Sequence, residues 1–303
     1  MSEQILQIEG VTKQFASVCA VDKLSLQMKS GESVALLGHN GAGKTTLFRL
    51  ILGFTKPDQG AIRVKDHVPG SDAARSFVSY LPENITFAKS LTGCEILTFF
   101  AKLKKADTSR ISDTLEQVGL GDAANRRAET YSKGMRQRLG LAQALIGEPH
   151  LLLLDEPTSG LDPISRQDFY KLIDVVAKNG AAVLLSSHSL SEVENRTDRV
   201  AIMKSGKLVA DASLAQLQTD AAVPFKIIVK AHRSNVDEVR KRLGGKRING
   251  QHVELSCLHH EKMGLLNSIG SLGDLVTDLD VAQPSLDDVF KHYSTDTPKE
   301  AGS

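Results

Sequence analysis

The sequence predicts an α/β fold with a mixed, mainly parallel sheet at its core, followed by a small α+β unit. Three observations carry this. Continuous apolar runs, Ser33–Leu37, Leu151–Leu154 and Ala181–Ser186, alternate with stretches of helical periodicity, as strands buried on both faces do. A glycine-rich loop joins the first run to the helical stretch after it. Near residues 219–224 the pattern restarts and continues as β-α-β-β-α-β, the order of a ferredoxin-like unit.

Taken in order, residues 1–30 alternate apolar and polar through Ile5, Ile8, Val11, Phe15, Val21 and Leu24 to Met28, which predicts an antiparallel β subdomain. A helix is expected over Thr45–Leu52. Residues 87–145 read as a helical subdomain, with apolar residues at helical spacing in Glu95–Leu103 and Ile111–Val118. No element is assigned to 53–86. A helix over Gln167–Lys178 separates the two later strands, and Val200–Met203 and Lys207–Val209 flank Gly206 as a hairpin. In the second unit, strands are expected at Phe225–Ala231, Lys246–Ile248, His252–Ser256 and Leu275–Val281, and helices at Asn235–Leu243 and Glu261–Ile269. Asn249-Gly250 signals a two-residue hairpin. A last helix, Ser285–Tyr293, opens with Ser285 and Asp288 in capping-box spacing. The expected division is therefore 1–218, 225–293 and a loose tail, 294–303.

Composition excludes several classes. Lys plus Arg number 37 and Asp plus Glu 36, so bulk attraction to nucleic acid is absent. There is no Trp and only 4 Tyr, which gives no stacking platform for single strands. No apolar run approaches the roughly 20 residues needed to span a bilayer, and the first residues, Met1-Ser-Glu-Gln, do not resemble a secretory signal. The 3 cysteines, Cys19, Cys94 and Cys257, lie far apart, which predicts no disulfide framework and fits a reducing cytoplasm.

The chemistry lies in two motifs. Gly38-His39-Asn40-Gly41-Ala42-Gly43-Lys44-Thr45 matches the phosphate-binding pattern G-x-x-x-x-G-K-[ST] and sits between a buried strand and a helix, the context it needs. Its glycines let backbone N–H groups turn toward phosphates. Lys44 is expected to reach the β- and γ-phosphates of ATP, and the Thr45 hydroxyl to ligate Mg²⁺. At the C-terminal end of the leucine strand stand Asp155 and Glu156, where ligands gather in open α/β sheets. Asp155 is expected to hold the Mg²⁺ through its water shell, and Glu156 to act as general base on the attacking water.

Together with Tyr131-Ser132-Lys133-Gly134-Met135, Ser159-Gly-Leu-Asp162 and Ser-Ser-His188, these motifs resemble the ABC ATPases over residues 1–217. The resemblance implies a signature loop at Ser132–Met135 that completes the nucleotide site of a second copy, a D-loop ending at Asp162, and a switch histidine at His188. It also implies an adenine-stacking aromatic at Phe15 and a further phosphate-loop contact from Thr46. Lys133 and Met135 replace the usual Gly and Gln of the signature. Glu83, in Tyr80-Leu-Pro-Glu-Asn84, stands where most members carry a Gln that meets the metal.

Within the family, Tyr80–Asn84 and Thr130–Leu145 are similar to the ATPase subunits of NosDFY transporters, which serve copper-site assembly of nitrous oxide reductase. This implies a homodimeric motor, peripheral on the cytoplasmic face of the inner membrane, with a NosY-like membrane subunit and a NosD-like periplasmic subunit. Membrane subunits would feel its motion through the groove between the core and the helical region after Glu83. A drug or lipid exporter ATPase shares every motif. A non-transport ABC ATPase fits less well, because no heptad run separates Lys44 from Asp155 and the chain carries one ATPase unit. Direct copper binding is not expected of the chain. Among His252, Cys257, His259 and His260, strand alternation puts His252 and Cys257 on opposite faces.

Overall fold

The computed structural model describes residues 3–188, 197–282, 284 and 286–295. Two compact units are present, Met1–Asp211 and Ala212–Ser303.

The first unit opens with a long hairpin, β1 (Gln4–Phe15) and β2 (Val18–Lys29), joined by β4 (Gln59–Val64) in a three-stranded antiparallel sheet of order β2-β1-β4. Its inward residues, among them Leu6, Ile8, Leu24, Leu26 and Met28, are buried, so the alternation seen in sequence becomes one core-facing side. The second sheet contains β3 (Ser33–Leu37), β5 (Val78–Leu81), β6 (Leu151–Leu154), β7 (Ala182–Ser187), β8 (Arg199–Lys204) and β9 (Lys207–Ala212), in the order β5-β6-β7-β3-β8-β9. The pairs β5–β6, β6–β7, β7–β3 and β3–β8 are parallel. Every residue of β3, β6 and β7 is buried, which is why these strands read as unbroken apolar runs.

Helix α1 (Lys44–Ile51) follows the phosphate loop and buries Leu47, Phe48, Leu50 and Ile51 against both sheets. The short α2 (Asp72–Phe77) leads into β5. Together β4, α2 and β5 fill the stretch left unassigned by sequence. The helical region comprises α3 (Gly93–Lys104), α4 (Ile111–Gln117) and α5 (Lys133–Leu145) around its own core of Ile96, Leu97, Leu115, Val118 and Leu139. Thr92 caps α3 reciprocally with Glu95, fixing where that helix starts. Helix α6 (Pro163–Lys178) connects β6 to β7.

The second unit begins with α7 (Leu214–Asp220). It continues through β10 (Phe225–Ala231), α8 (Val236–Leu243), β11 (Lys246–Arg247), β12 (His252–Cys257), α9 (Lys262–Gly270), β13 (Val276–Ala282) and α10 (Leu286–Thr295). The sheet is antiparallel, of order β11-β12-β10-β13. One expectation fails here. Arg247 pairs with Val253 and Ile248 N donates to the His252 carbonyl, so the turn spans three residues, Asn249 to Gln251, rather than two. Asn249 Oδ1 accepts from the N–H groups of both Gln251 and His252, and that side-chain capping favours the wider turn. Ser285, the expected helix cap, and the tail from residue 296 lie outside the described residues.

Candidate nucleotide site

The parallel register builds the site. With β6, β7 and β3 side by side, the residues that follow them converge at one sheet edge: Asp155 and Glu156 after β6, His188 after β7, and the phosphate loop after β3. Gly43 stands at the N-terminus of α1 with φ 108°, and a β-carbon there would collide with the carbonyl of Ala20. Glycine is therefore demanded twice at this position, by conformation and by contact. No side chain caps α1 and no acidic residue sits in its first turn, so its leading N–H groups are open to an anion. His39, Asn40, Gly41 and Thr45 are exposed, Thr46 is half-buried and Ala42 is buried.

Lys44 is only 7% exposed. Its ammonium donates to the Gly38 carbonyl and lies 3.7 Å from Glu156 Oε1. Burial lowers its pKa, opposed by the carboxylates of Glu156 and Asp155. On the other side, His188 Nδ1 donates to Glu156 Oε2 at 2.7 Å. Glu156 is thus held on one oxygen by the histidine, with the lysine beside the other. Its backbone has φ 46°, an uncommon conformation for a side-chain-bearing residue. The Glu156 N–H donates to Ser186 Oγ at 2.9 Å, and that hydroxyl donates to Asp155 Oδ1 at 2.7 Å. The second oxygen of Asp155 accepts from Tyr80 at 3.2 Å. Burial, with the Asp155 charge beside it, raises the Tyr80 pKa.

Ser186 and Tyr80 were not among the site residues expected from sequence. The signal for Ser186 is two serines ending an otherwise apolar, fully buried strand, a place where polar groups need a partner. Glu83 is exposed, and among the described residues no group of three His, Cys, Asp or Glu side chains is arranged to hold a metal ion. Its charge bears on Tyr80.

The signature loop belongs to a different neighbourhood. Tyr131 is buried at 2% exposure and its hydroxyl donates to the Ala123 carbonyl at 2.6 Å, anchoring the loop in the helical core. Ser132 caps α5 by accepting from Met135 N. Gly134 lies against Ser165 and Leu161, and the Lys133 ammonium lies beside Gly160. Asp162 caps α6 by accepting from Ser165 N at 2.9 Å, and this hydrogen bonding lowers its pKa. Signature loop and D-loop therefore pack on each other. Among the described residues, no hydrogen bond or ion pair joins Ser132–Met135 to the phosphate loop of the same chain. Phe15, at the end of β1, is 48% exposed and does not serve as a core residue.

The family model for ABC transporters matches residues 21–159. The ABC transporter ATP-binding protein YdbJ of Bacillus subtilis, itself uncharacterized, is 43% identical over 218 residues, 71% of each chain. The chain belongs to the ABC transporter ATP-binding proteins. Another ABC relative, the daunorubicin resistance ATP-binding protein DrrA3 of Streptomyces coeruleorubidus, is 30% identical over 308 residues, 98% of each chain. A solved structure of the ATP binding subunit of an ABC transporter superposes with a TM-score of 0.65 at 27% identity, over 71% of this chain and 92% of that one. The chain is accordingly an ABC ATPase, hydrolysing ATP to ADP and phosphate in step with transport. ABC ATPases work as dimers with membrane subunits. Among the described residues no helix is long and apolar enough to cross a membrane.

Proposed function

We propose that two copies of this chain close over two molecules of ATP, each phosphate loop facing the other copy's Ser132–Met135. The observation that carries this is the separation of the two half-sites. The phosphate loop, Asp155, Glu156 and His188 assemble at one sheet edge, while the signature loop is anchored by Tyr131 elsewhere, with Ser132 exposed. The loop N–H groups and Lys44 receive the β- and γ-phosphates, drawing Lys44 away from Glu156. Glu156 takes the proton of the attacking water, and His188, hydrogen-bonded to its Oε2, holds that carboxylate in place beside the γ-phosphate. Phe15 stacks on the adenine. Lys133 adds positive charge to the partner's phosphate contact, and Asp162 keeps the D-loop in place beside it.

The oxygen donors of Thr45 and Asp155 suit Mg²⁺, an ion bound through one or two carboxylates together with substrate phosphates. When bound, the ion neutralises charge developing on the phosphates. Glu83 is a third oxygen donor for its water shell.

We read the assembly as a NosDFY-type transporter and this chain as its NosF-like subunit, lying on the cytoplasmic face of the inner membrane. Tyr80–Asn84 and the signature segment Thr130–Leu145 support this reading. A drug exporter is the second reading, favoured by the daunorubicin resistance relative that aligns along nearly the whole chain. Inactivating the gene and measuring copper in nitrous oxide reductase separates them. Copper-deficient reductase is expected; a fully loaded enzyme, with the chain co-purifying with a different membrane protein, would overturn the NosDFY assignment.

A further inference from the structure

The end of the β1–β2 hairpin carries an arrangement that ATP hydrolysis as described leaves unused. Phe15 pairs with Val18 across the hairpin, and both side chains are largely exposed, at 48% and 63%. The hairpin lies beside the phosphate loop, since the Ala20 carbonyl packs against Gly43. An aromatic ring on a hairpin tip has rotamer freedom that a ligand must remove on binding. Here a second side chain restrains it. The Lys13 ammonium lies 5.3 Å from the centre of the Phe15 ring, within the range of a cation–π contact.

Lys13 does not reach that place by chance of a mobile chain. Its side chain is only 14% exposed, and its ammonium donates to Asp58 Oδ1 at 2.8 Å. Asp58 Oδ2 accepts from the N–H of Gln14 at 2.7 Å, and the Asp58 N–H donates to the Thr12 carbonyl at 2.9 Å. Asp58 therefore grips the strand on both sides of Lys13, by its backbone N–H at Thr12 and its carboxylate at Gln14, and the carboxylate holds the ammonium as well. The hydrogen bonds from Lys13 and from the Gln14 N–H lower the Asp58 pKa.

We infer that Lys13, held by Asp58, is a positioning residue that fixes the Phe15 ring as a ready platform for the nucleobase. This rests on the reading of Phe15 as the adenine-stacking residue. Lys13 is engaged by Asp58 and the Phe15 ring, so on this inference its contribution belongs to base affinity and not to the chemical step. It acts through the ring: the ammonium takes one approach to the π-system and limits ring rotation, and the exposed area remains for a base.

The test is binding of Mg-ATP and of Mg-tripolyphosphate, which has no base, to the full-length chain by titration calorimetry, together with ATP turnover. Lys13→Met should weaken ATP binding about threefold to tenfold, raise KM for ATP to match, leave kcat unchanged and leave tripolyphosphate binding unchanged. Asp58→Asn should act in the same direction, and Lys13→Arg should retain ATP affinity. Equal loss for ATP and tripolyphosphate, or a fall in kcat, would overturn the inference, because either would place Lys13 in phosphate binding or general stability. Phe15→Ala separates the two layers. If Phe15→Ala weakens ATP binding and Lys13→Met does not, the platform stands and the positioning role falls. If Phe15→Ala leaves ATP affinity intact, both fall together.

Discussion

The phosphate loop and the segment Ser132–Met135, which we propose as the two halves of a composite nucleotide site, are supported in opposite ways. The phosphate loop is surrounded by its own chemistry: Lys44 lies beside Glu156, Glu156 is hydrogen-bonded to His188, and Ser186 ties Asp155 to the Glu156 backbone. The signature loop is surrounded by packing. Tyr131 is buried in the helical core, Ser132 spends its hydroxyl on the α5 cap, and Gly134 and Lys133 abut the D-loop. One half carries reactive groups held against one another at the ends of β3, β6 and β7. The other is a rigid surface whose usefulness depends on what is brought to it.

This contrast can be broken most forcefully at Lys44. Lys44→Ala should reduce ATP hydrolysis by about 10³-fold, as expected when a preorganised charge on a phosphoryl group is lost; near-normal phosphate release would refute the loop's role. Glu156→Gln should still bind ATP while turnover falls about 10²- to 10³-fold, and it should accumulate as an ATP-bound dimer in size-exclusion chromatography. Retained turnover would remove Glu156 from the base role.

The division between halves is sharpened by mixing. Lys44→Ala and Ser132→Arg chains should each be inactive, whereas an equal mixture should regain about a quarter of wild-type activity, through mixed dimers with one intact composite site. A mixture as inactive as its parts would show that the two loops do not meet between chains.

Smaller effects test the supports. Ser186→Ala leaves Asp155 and the Glu156 N–H without their shared hydroxyl, which should lower unfolding stability by about 1–3 kcal/mol in a denaturant titration. Turnover should fall with it, because the Glu156 backbone loses the bond that holds its left-handed conformation. The smallest change is expected from removing residues 212–303. If the second unit pairs with its twin, dimer association should weaken about tenfold in analytical ultracentrifugation while each chain still binds ATP. Unaltered association would assign that unit another task.

Much of the site was legible because its parts are contiguous. The loop from Gly38 to Thr45 is one segment, and Asp155-Glu156 directly ends a strand whose leucines announce burial. The fold was legible where periodicity was strong, in β3, β6, β7 and the helices α3 and α6. It was least legible over residues 53–86, where β4 has three exposed residues at its start and β5 has only four residues, too short for a period to emerge. The turn at Asn249-Gly250 is one residue longer than that dipeptide signals, because the side chain of Asn249, and not only its backbone preference, selects the turn.

The phosphate-binding segment, the pair of carboxylates and the alternation of strand and helix are written in the order of residues, since each is a local pattern of residue type. That Tyr80 and Ser186 flank Asp155, that His188 holds Glu156, and that Asp58 reaches back to Lys13 emerges only once the chain is folded. The reason is topological. Parallel pairing sets the ends of β5, β6 and β7 side by side although long stretches of chain separate them, and antiparallel pairing of β1 with β4 carries Asp58 to Lys13. No spacing along the chain encodes those neighbours.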